Sequence, residues 1–341
     1  MEDSNLAEVF RQFAYVECEG SSLLYEHLSL EIAEDKKLLE LCSHARKGQP
    51  IPNLLFGAVH YLLLKDSNDS LAQFYSSIND DVSNKTSAFP YFKSFCLEHK
   101  DQIINILKSK LVQTNEVRRC AYLYPIFCYI YQKEKRPLSL IEIGTSCGLQ
   151  LLCDRYGYEY DDNQIYGNKE SCLTLHSKIS NGNLDREMLQ TTPVIENRVG
   201  IDLHVNDLNN KDEYLWLKAL IWPEHQNRLE NFKNATRQFD RASVKLLEGN
   251  GVEELITISK DINKDNILCI FHTHVANQMS EEDKYTLNKN IEILSKTRDV
   301  YHIYNNMNDR KLHMDIIVNG IKTSYLVGNV DGHARWFDWL L

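Results

Sequence analysis

Residues 138–152, LSLIEIGTSCGLQLL, constrain the fold of this chain more than any other segment. A short apolar run, 138–143, has the length and continuity of a buried parallel strand. Leu149, Leu151 and Leu152 then begin an amphipathic helical pattern. Between them, Gly144 and Gly148 bracket a turn, Glu142-Ile-Gly-Thr-Ser-Cys-Gly148. Glycine permits a sharp backbone turn and lets a ligand approach where a Cβ would intrude. The unpaired N–H groups of the following helix would face that ligand. Strand, glycine turn and helix together predict a nucleotide-type cofactor site at the carboxyl end of a strand.

The rest of the chain must supply a sheet around that strand. With 341 residues it can hold one large or two ordinary domains. Its 43% hydrophobic and 25% charged residues are those of a soluble globular protein. The formal net charge of −10 argues against duplex nucleic acid as a partner, because that affinity rests on clustered Lys and Arg. The longest apolar run, 54–64, falls short of the about 18 residues of a membrane span and contains His60. The start of the chain, MEDSNLAEVF, is acidic and does not read as a signal peptide. The nine cysteines form no C-x-x-C pair and read as reduced core thiols, which places the protein in the cytoplasm. The expected partner is a small-molecule substrate, without a membrane.

Up to residue 136 the periodicity is helical, with segments near 5–18, 22–45, 52–65, 70–80, 90–110 and 115–133. Thr114 or Asn115 followed by Glu116 is a candidate N-cap, and Pro125 a candidate kink. From residue 137 strands and helices alternate. Strands are predicted at 138–143, 196–201, 243–247, 266–272, 299–304, 314–318 and 322–327, with helices near 147–155, 211–220, 225–238, 251–259 and 281–296. Asn319-Gly320 marks a hairpin between the last two strands. Residues 156–193, rich in Tyr, Asn and Asp, read as an irregular insertion. The prediction is therefore an α/β protein: an all-helical N-terminal cap, 1–136, and a mostly parallel seven-stranded sheet domain, 137–341. The cap would close the substrate cleft, and the alternating aromatics of 332–339 suggest a terminal strand packed on the sheet.

Several residues are candidates for chemistry. Gly144-x-Ser146-x-Gly148 has the letters of the nucleophile elbow of serine hydrolases. A hydrolase elbow follows earlier strands, however, whereas everything upstream here is helical. Asp202 ends the second strand, where a carboxylate can accept from both ribose hydroxyls; a solvated strand-end acid is the plainer reading. Its distance from the glycine turn exceeds the usual ~20 residues, an excess assigned to the insertion. His272 and His274, after the fourth strand, would share a face if extended. They could position or deprotonate a substrate, form half of a metal site, or be structural. Tyr25, in Gly20-Ser-Ser-Leu-Leu-Tyr25, with Asn115, Glu116 and Arg119, lies among polar residues that could reach a cleft. Trp222, in Trp222-Pro-Glu-His-Gln-Asn-Arg228, is a candidate ligand platform or a core residue.

The glycine turn also resembles motif I of class I S-adenosylmethionine-dependent methyltransferases, E-x-G-x-G-x-G, with Ser146 in place of the middle glycine. That resemblance implies a Rossmann-like sheet with Glu142, Gly144, Thr145, Ser146 and Gly148 holding S-adenosylmethionine and Asp202 holding its ribose. Glu248-Gly249-Asn250 resembles the methyltransferase segment that contacts adenine, with Asn250 for the usual Asp. The fourth strand's end, with His272, would face the transferable methyl group. The separated motifs at 20–25, 52–55, 113–117, 142–149, 200–203 and 222–224 resemble an uncharacterised bacterial family, a domain of unknown function with this fold. The expected activity is methyl transfer to a small molecule. The alternatives are a serine hydrolase using Ser146, an NAD-type site, or a non-catalytic binding protein of the same fold.

Overall fold

In the computed structural model, residues 3–113, 115–239 and 243–341 are described; Thr114, one candidate cap, lies outside them. The helices are α1 (Asp3–Phe13), α2 (Leu23–Ala33), α3 (Lys36–Cys42), α4 (Ile51–Lys65), α5 (Phe89–Glu98), α6 (Lys100–Ser109), α7 (Cys120–Glu134), α8 (Lys211–Ala219), α9 (Gln226–Phe239), α10 (Gly251–Ser259) and α11 (Glu281–Ser295). A mixed sheet is built from β1 (Leu138–Ile143), β2 (Ile195–Asp202), β3 (Lys245–Glu248), β4 (Ile267–His272), β5 (Val300–Tyr304), β6 (Leu312–Val318) and β7 (Ile321–Gly328). Among the described residues no helix is long and apolar enough to cross a membrane.

Two compact units divide the chain: Met1–Thr114 with Leu208–Glu230, and Asn115–Asp207 with Asn231–Leu341. The division does not follow the linear boundary expected at 136, for reasons of packing. In the second unit, α7 lies on the sheet: Phe127 meets Phe271 of β4 edge-on at 5.6 Å, and Tyr301 of β5 donates to Glu134 at 2.5 Å. In the first unit, Trp216 and Leu220 press on α4 at Gly57, where a Cβ would come within 3.2 and 2.9 Å of them.

The first unit is helical. Two expected long helices are each divided: the Asp35 carboxylate caps a fresh start by accepting from the amides of Lys37 and Leu38, and α5 ends at His99. Helix α4 is apolar almost all round, and is accordingly central. Its one polar core residue, His60, donates from Nδ1 to Ala219 O at 2.9 Å and accepts at Nε2 from Ser77 at 2.7 Å. Burial pulls its pKa down to about 4, so the ring stays neutral. Tyr25 stacks on Phe56 at 4.1 Å, and Trp222 meets Tyr25 and Phe13 edge-on at 5.7 and 5.5 Å.

The second unit carries the sheet, in the order β7-β6-β5-β4-β1-β2-β3. Strands β1 to β5 are parallel; β6 runs antiparallel between β5 and β7. β1 is central, all six of its residues are buried, and the direction of strand addition reverses between β1 and β4. Alternation gives the sheet two distinct faces. Ile141, Ile143, Ile201, Ile270, Val300 and Ile317 pack with α10 and α11. Glu142, Arg198, Phe271 and Tyr301 alternate with these and lie on the face that carries α7.

Three segments differ from the sequence reading. Residues 149–155 form a short 3-10 helix, irregular at Leu152, instead of a full α-helix. The segment 156–193 is ordered by tyrosine: Tyr156, Tyr158 and Tyr160 are buried and donate to the carbonyls of Leu149, Cys153 and Ala121 at 2.8, 2.5 and 2.9 Å. It contains a three-stranded sheet, Gly157–Glu159, Tyr166–Gly167 and Thr174–His176. The terminal strand Trp336–Trp339 pairs in parallel with Lys178–Gly182 of that segment, and just past it the Leu340 amide donates to Val327 O of β7 at 2.9 Å. Pro125 sits within α7, which continues through it to Glu134.

Candidate functional site

The glycine turn lies at the carboxyl end of β1 beside the reversal in strand order, where open α/β sheets present a crevice. It is held from three sides. The amide of Gly144 donates to Ile201 O at 2.8 Å. The Asp202 carboxylate accepts from the Ser146 amide at 2.8 Å and from the His204 amide at 3.4 Å. Asn206 closes the far side, donating from its amide to Ser146 O at 3.1 Å and from Nδ2 to Ser146 Oγ at 3.2 Å. Gly144 and Gly148 have φ of +75° and +78°, and Ser146 has φ +53°. A residue other than glycine at φ > 0 carries strain and persists there only where its surroundings hold it, as Asp202 and Asn206 do here.

Inside the turn, Thr145 Oγ1 donates to Glu142 Oε2 at 2.7 Å. A Cβ at Gly200, opposite Glu142 in β2, would overlap the Thr145 side chain, which is why that position has none. Glu142 is 2% exposed. Burial pushes its carboxyl up to about 8 and the Asp202 charge adds to this, against the hydrogen bond from Thr145 and the Arg119 charge. Gly144 is also a close-approach position, but for protein: a Cβ there would overlap Val275 in the segment after β4. The expectation that Gly144 leaves room for a cofactor is thus corrected to packing against Val275.

A polar network of the second unit surrounds the turn. Asn115 Nδ2 donates to Thr145 O at 3.0 Å. Arg119 donates from Nε to Gly332 O at 3.1 Å and from its guanidinium to Thr273 O at 3.4 Å. Thr273 Oγ1 donates to Gln150 Oε1 at 3.1 Å. Glu116, 3% exposed, accepts from the Arg118 amide at one oxygen and lies 3.1 Å from His333 Nδ1 at the other. His274 turns back at φ +58°, with its amide donating to Asn305 Oδ1 at 2.7 Å. Asn115 Oδ1, His274 Nε2 and Asn305 Nδ2 are buried with no hydrogen-bond partner, an arrangement costing about 1–3 kcal/mol per group unless a ligand or water fills it.

Other expected site residues have different places. The left-handed turn at His274 breaks the extended alternation, so His272 and His274 do not act as a pair. His272 is fully buried, its Nε2 3.1 Å from Nε2 of His302. Its alternation with Leu268 and Ile270 puts it on the α10 and α11 face. Asn250 caps α10, accepting from the Val252 amide at 3.0 Å and donating to Glu253 at 2.9 Å, so its carboxamide is used locally. Gly249 donates from its amide to Asp202 O at 2.8 Å, tying the end of β3 to that of β2. Tyr25 and Trp222 belong to the aromatic core of the first unit, described above.

That first unit has a polar cluster of its own. The Glu224 carboxylate accepts from Ser22 Oγ and from the Leu24 amide, and pairs with Lys85. Ser21 Oγ lies 3.0 Å from His225 Nε2, and Arg228 lies 3.0 Å from His225 Nδ1. Arginine can only donate, so Nδ1 is the accepting nitrogen and Nε2 carries the proton. His225 therefore donates to Ser21 and is not arranged as a base for a serine nucleophile.

Sequence reasoning missed Thr273, Gln150, Asn305, Asn206 and His333. The pattern Gly332-His-Ala-Arg335 is short and close to the end, and nothing local marks it as a neighbour of Glu116.

These observations define an α/β protein with a seven-stranded, mostly parallel mixed sheet and a polar, glycine-turned site at the carboxyl ends of its central strands. The chain belongs to the family described as uncharacterized protein conserved in bacteria (DUF2332), whose profile matches residues 7–339. A search of curated proteins found no match.

Two predictions follow from the turn. Gly144→Ala should destabilise the fold by about 2–4 kcal/mol through left-handed strain and overpacking. Val275→Ala added to it should restore the overpacking share alone, as measured by urea unfolding of the single and double variants. Glu142 gives a pH signature. Because its folded pKa is raised, its stabilising share is complete below the free-carboxyl range and is lost as pH rises to about 8. Melting temperatures from pH 5 to 9 should show Glu142→Gln gaining on the wild type across that window; parallel curves would contradict the buried, protonated carboxyl.

Proposed function

We propose that this protein is a Rossmann-like, S-adenosylmethionine-dependent methyltransferase acting on a small molecule. The observation that carries the reading is the set of unfilled polar atoms, Asn115 Oδ1, His274 Nε2 and Asn305 Nδ2, gathered with the glycine turn at the ends of the central strands. The order of the first six strands is that of a doubly wound dinucleotide-binding sheet, with β6 reversed. The turn residues Thr145, Ser146 and Gly148 would cradle the cofactor, with Gly144 closed off by Val275. Asp202, at the end of β2, is the carboxylate placed to meet the ribose. Bound S-adenosylmethionine would supply an electrophilic methyl group on a sulfonium centre.

The protein's share is to exclude water, orient a substrate and accept its proton. Burial and the Arg119 charge lower the His274 pKa to about 3, so that ring is neutral and too weak a base for work near neutrality. Its role is to position. His333 is the candidate group on the other side of the network. Glu116 faces its Nδ1, and a carboxylate there fixes the ring's orientation and keeps a proton on Nδ1.

A second reading, serine hydrolase, is favoured by the left-handed φ of Ser146, a strained turn of the kind a nucleophile elbow uses. Against it, Ser146 Oγ accepts from Asn206, and among the described residues no histidine is bonded to it.

Calorimetry with S-adenosylhomocysteine decides between them. The methyltransferase reading expects saturable binding that Asp202→Ala weakens by about 1.5–3 kcal/mol, and no labelling by a fluorophosphonate. Folded protein that binds neither adenosyl ligand, or labels stoichiometrically in a Ser146-dependent way, overturns it.

A further inference from the structure

The sheet face that carries α11 holds a second cluster, which the proposed activity does not use. A cavity of about 390 Å³ opens there, within the size range of small-ligand sites. Its strand side is formed by His302, Asp315, Ile317 and Lys322, its helix side by Tyr285, Lys289, Ile291 and Glu292 among others. Asp315 is 1% exposed and sits directly opposite His302 in the β5–β6 register. One of its oxygens accepts from Tyr304 at 3.2 Å and faces Lys322 Nζ at 3.3 Å. The other, Oδ1, is buried with no hydrogen-bond partner.

A buried carboxylate with an unfilled oxygen beside a cavity calls for a donor, and a charged donor most of all. The counter-ion already present cannot serve fully. Lys322 stands on the edge strand with half its side chain in water, and reaches only the oxygen that Tyr304 also uses. His302 cannot supply charge either. Burial, with the Lys322 charge adding, lowers its pKa to about 3, and its Nε2 is engaged with His272. Around the cavity two lysines balance Asp315 and Glu292, so the lining favours a ligand of no net charge that carries both signs. Ile291, Ile317 and the Tyr285 ring supply an apolar wall.

We propose that this cavity binds a small zwitterion, an α-amino acid with an apolar side chain, its ammonium group against Asp315 and its carboxylate between Lys289 and Lys322. The side chain lies against Ile291 and Ile317. Binding there fills Asp315 Oδ1 with a charged donor and releases Lys322 toward the ligand's carboxylate.

Isoleucine-methyl NMR titration of the full chain tests this, with L-leucine as the probe. 4-Methylpentanoate, which lacks the ammonium, and isopentylamine, which lacks the carboxylate, are the controls. Leucine should shift the Ile291 and Ile317 methyl signals saturably, and 4-methylpentanoate should not. Asp315→Asn should weaken leucine binding at least tenfold. Should that variant fail to fold, Lys289→Gln, on an exposed helix position, carries the test: it should weaken leucine and leave isopentylamine unchanged. The proposal is overturned if leucine, isoleucine, valine, methionine and phenylalanine all leave those methyl signals unmoved. It is equally overturned if 4-methylpentanoate binds as well as leucine, or if the folded variant tested binds leucine like the wild type.

Discussion

The Asp202 carboxylate at the end of β2 accepts from the Ser146 amide at the end of β1, and the geometry of the turn depends on that bond. Without it, Ser146 would have little reason to stay at φ +53°. With Ser146 held there, Thr145 points back to Glu142, and its carbonyl is presented to Asn115. Gly200 and Gly144 are the spatial conditions for the arrangement, the one clearing room for Thr145, the other for Val275. The consequence is electrostatic as well as steric. Two carboxyl groups, Glu142 and Asp202, lie close enough to influence one another, and the more deeply buried of them retains its proton to about pH 8.

The central strands were legible in the sequence because burial on both faces leaves a continuous apolar run. Residues 138–143 were placed to the residue, and β4 and β5 to within one. The Asn319-Gly320 hairpin was legible for a different reason: both residues have positive φ, which Asn-Gly tolerates. What was not legible depends on partners distant in the chain. The tyrosines of 156–160 look like loop composition until each hydroxyl finds a backbone carbonyl to donate to. The boundary at 136 looked natural because helices precede it, yet α7 is bound to β4 and β5 by contacts no local pattern announces.

The histidines show the same limit within the site. His272 and His274 are two residues apart, and an extended chain would send them the same way. A single left-handed residue separates their fates: His272 pairs with His302 on one face, whereas His274 is held through its amide by Asn305. His333, which carries no recognisable motif, comes to Glu116 across more than two hundred residues. A side chain's chemistry can be read from its type, but its tautomer is set by its neighbours. Arg228 does so for His225 just as Glu116 does for His333.

The central claim is that the turn is a preformed element, held by Asp202 before any ligand arrives. Amide hydrogen exchange at Ser146 in the ligand-free protein measures this directly. The account predicts slow exchange at that amide in the wild type and fast exchange in Asp202→Asn, with the strand amides of β1 protected in both. Exchange at Ser146 as fast as in an unstructured loop of the wild type would contradict it.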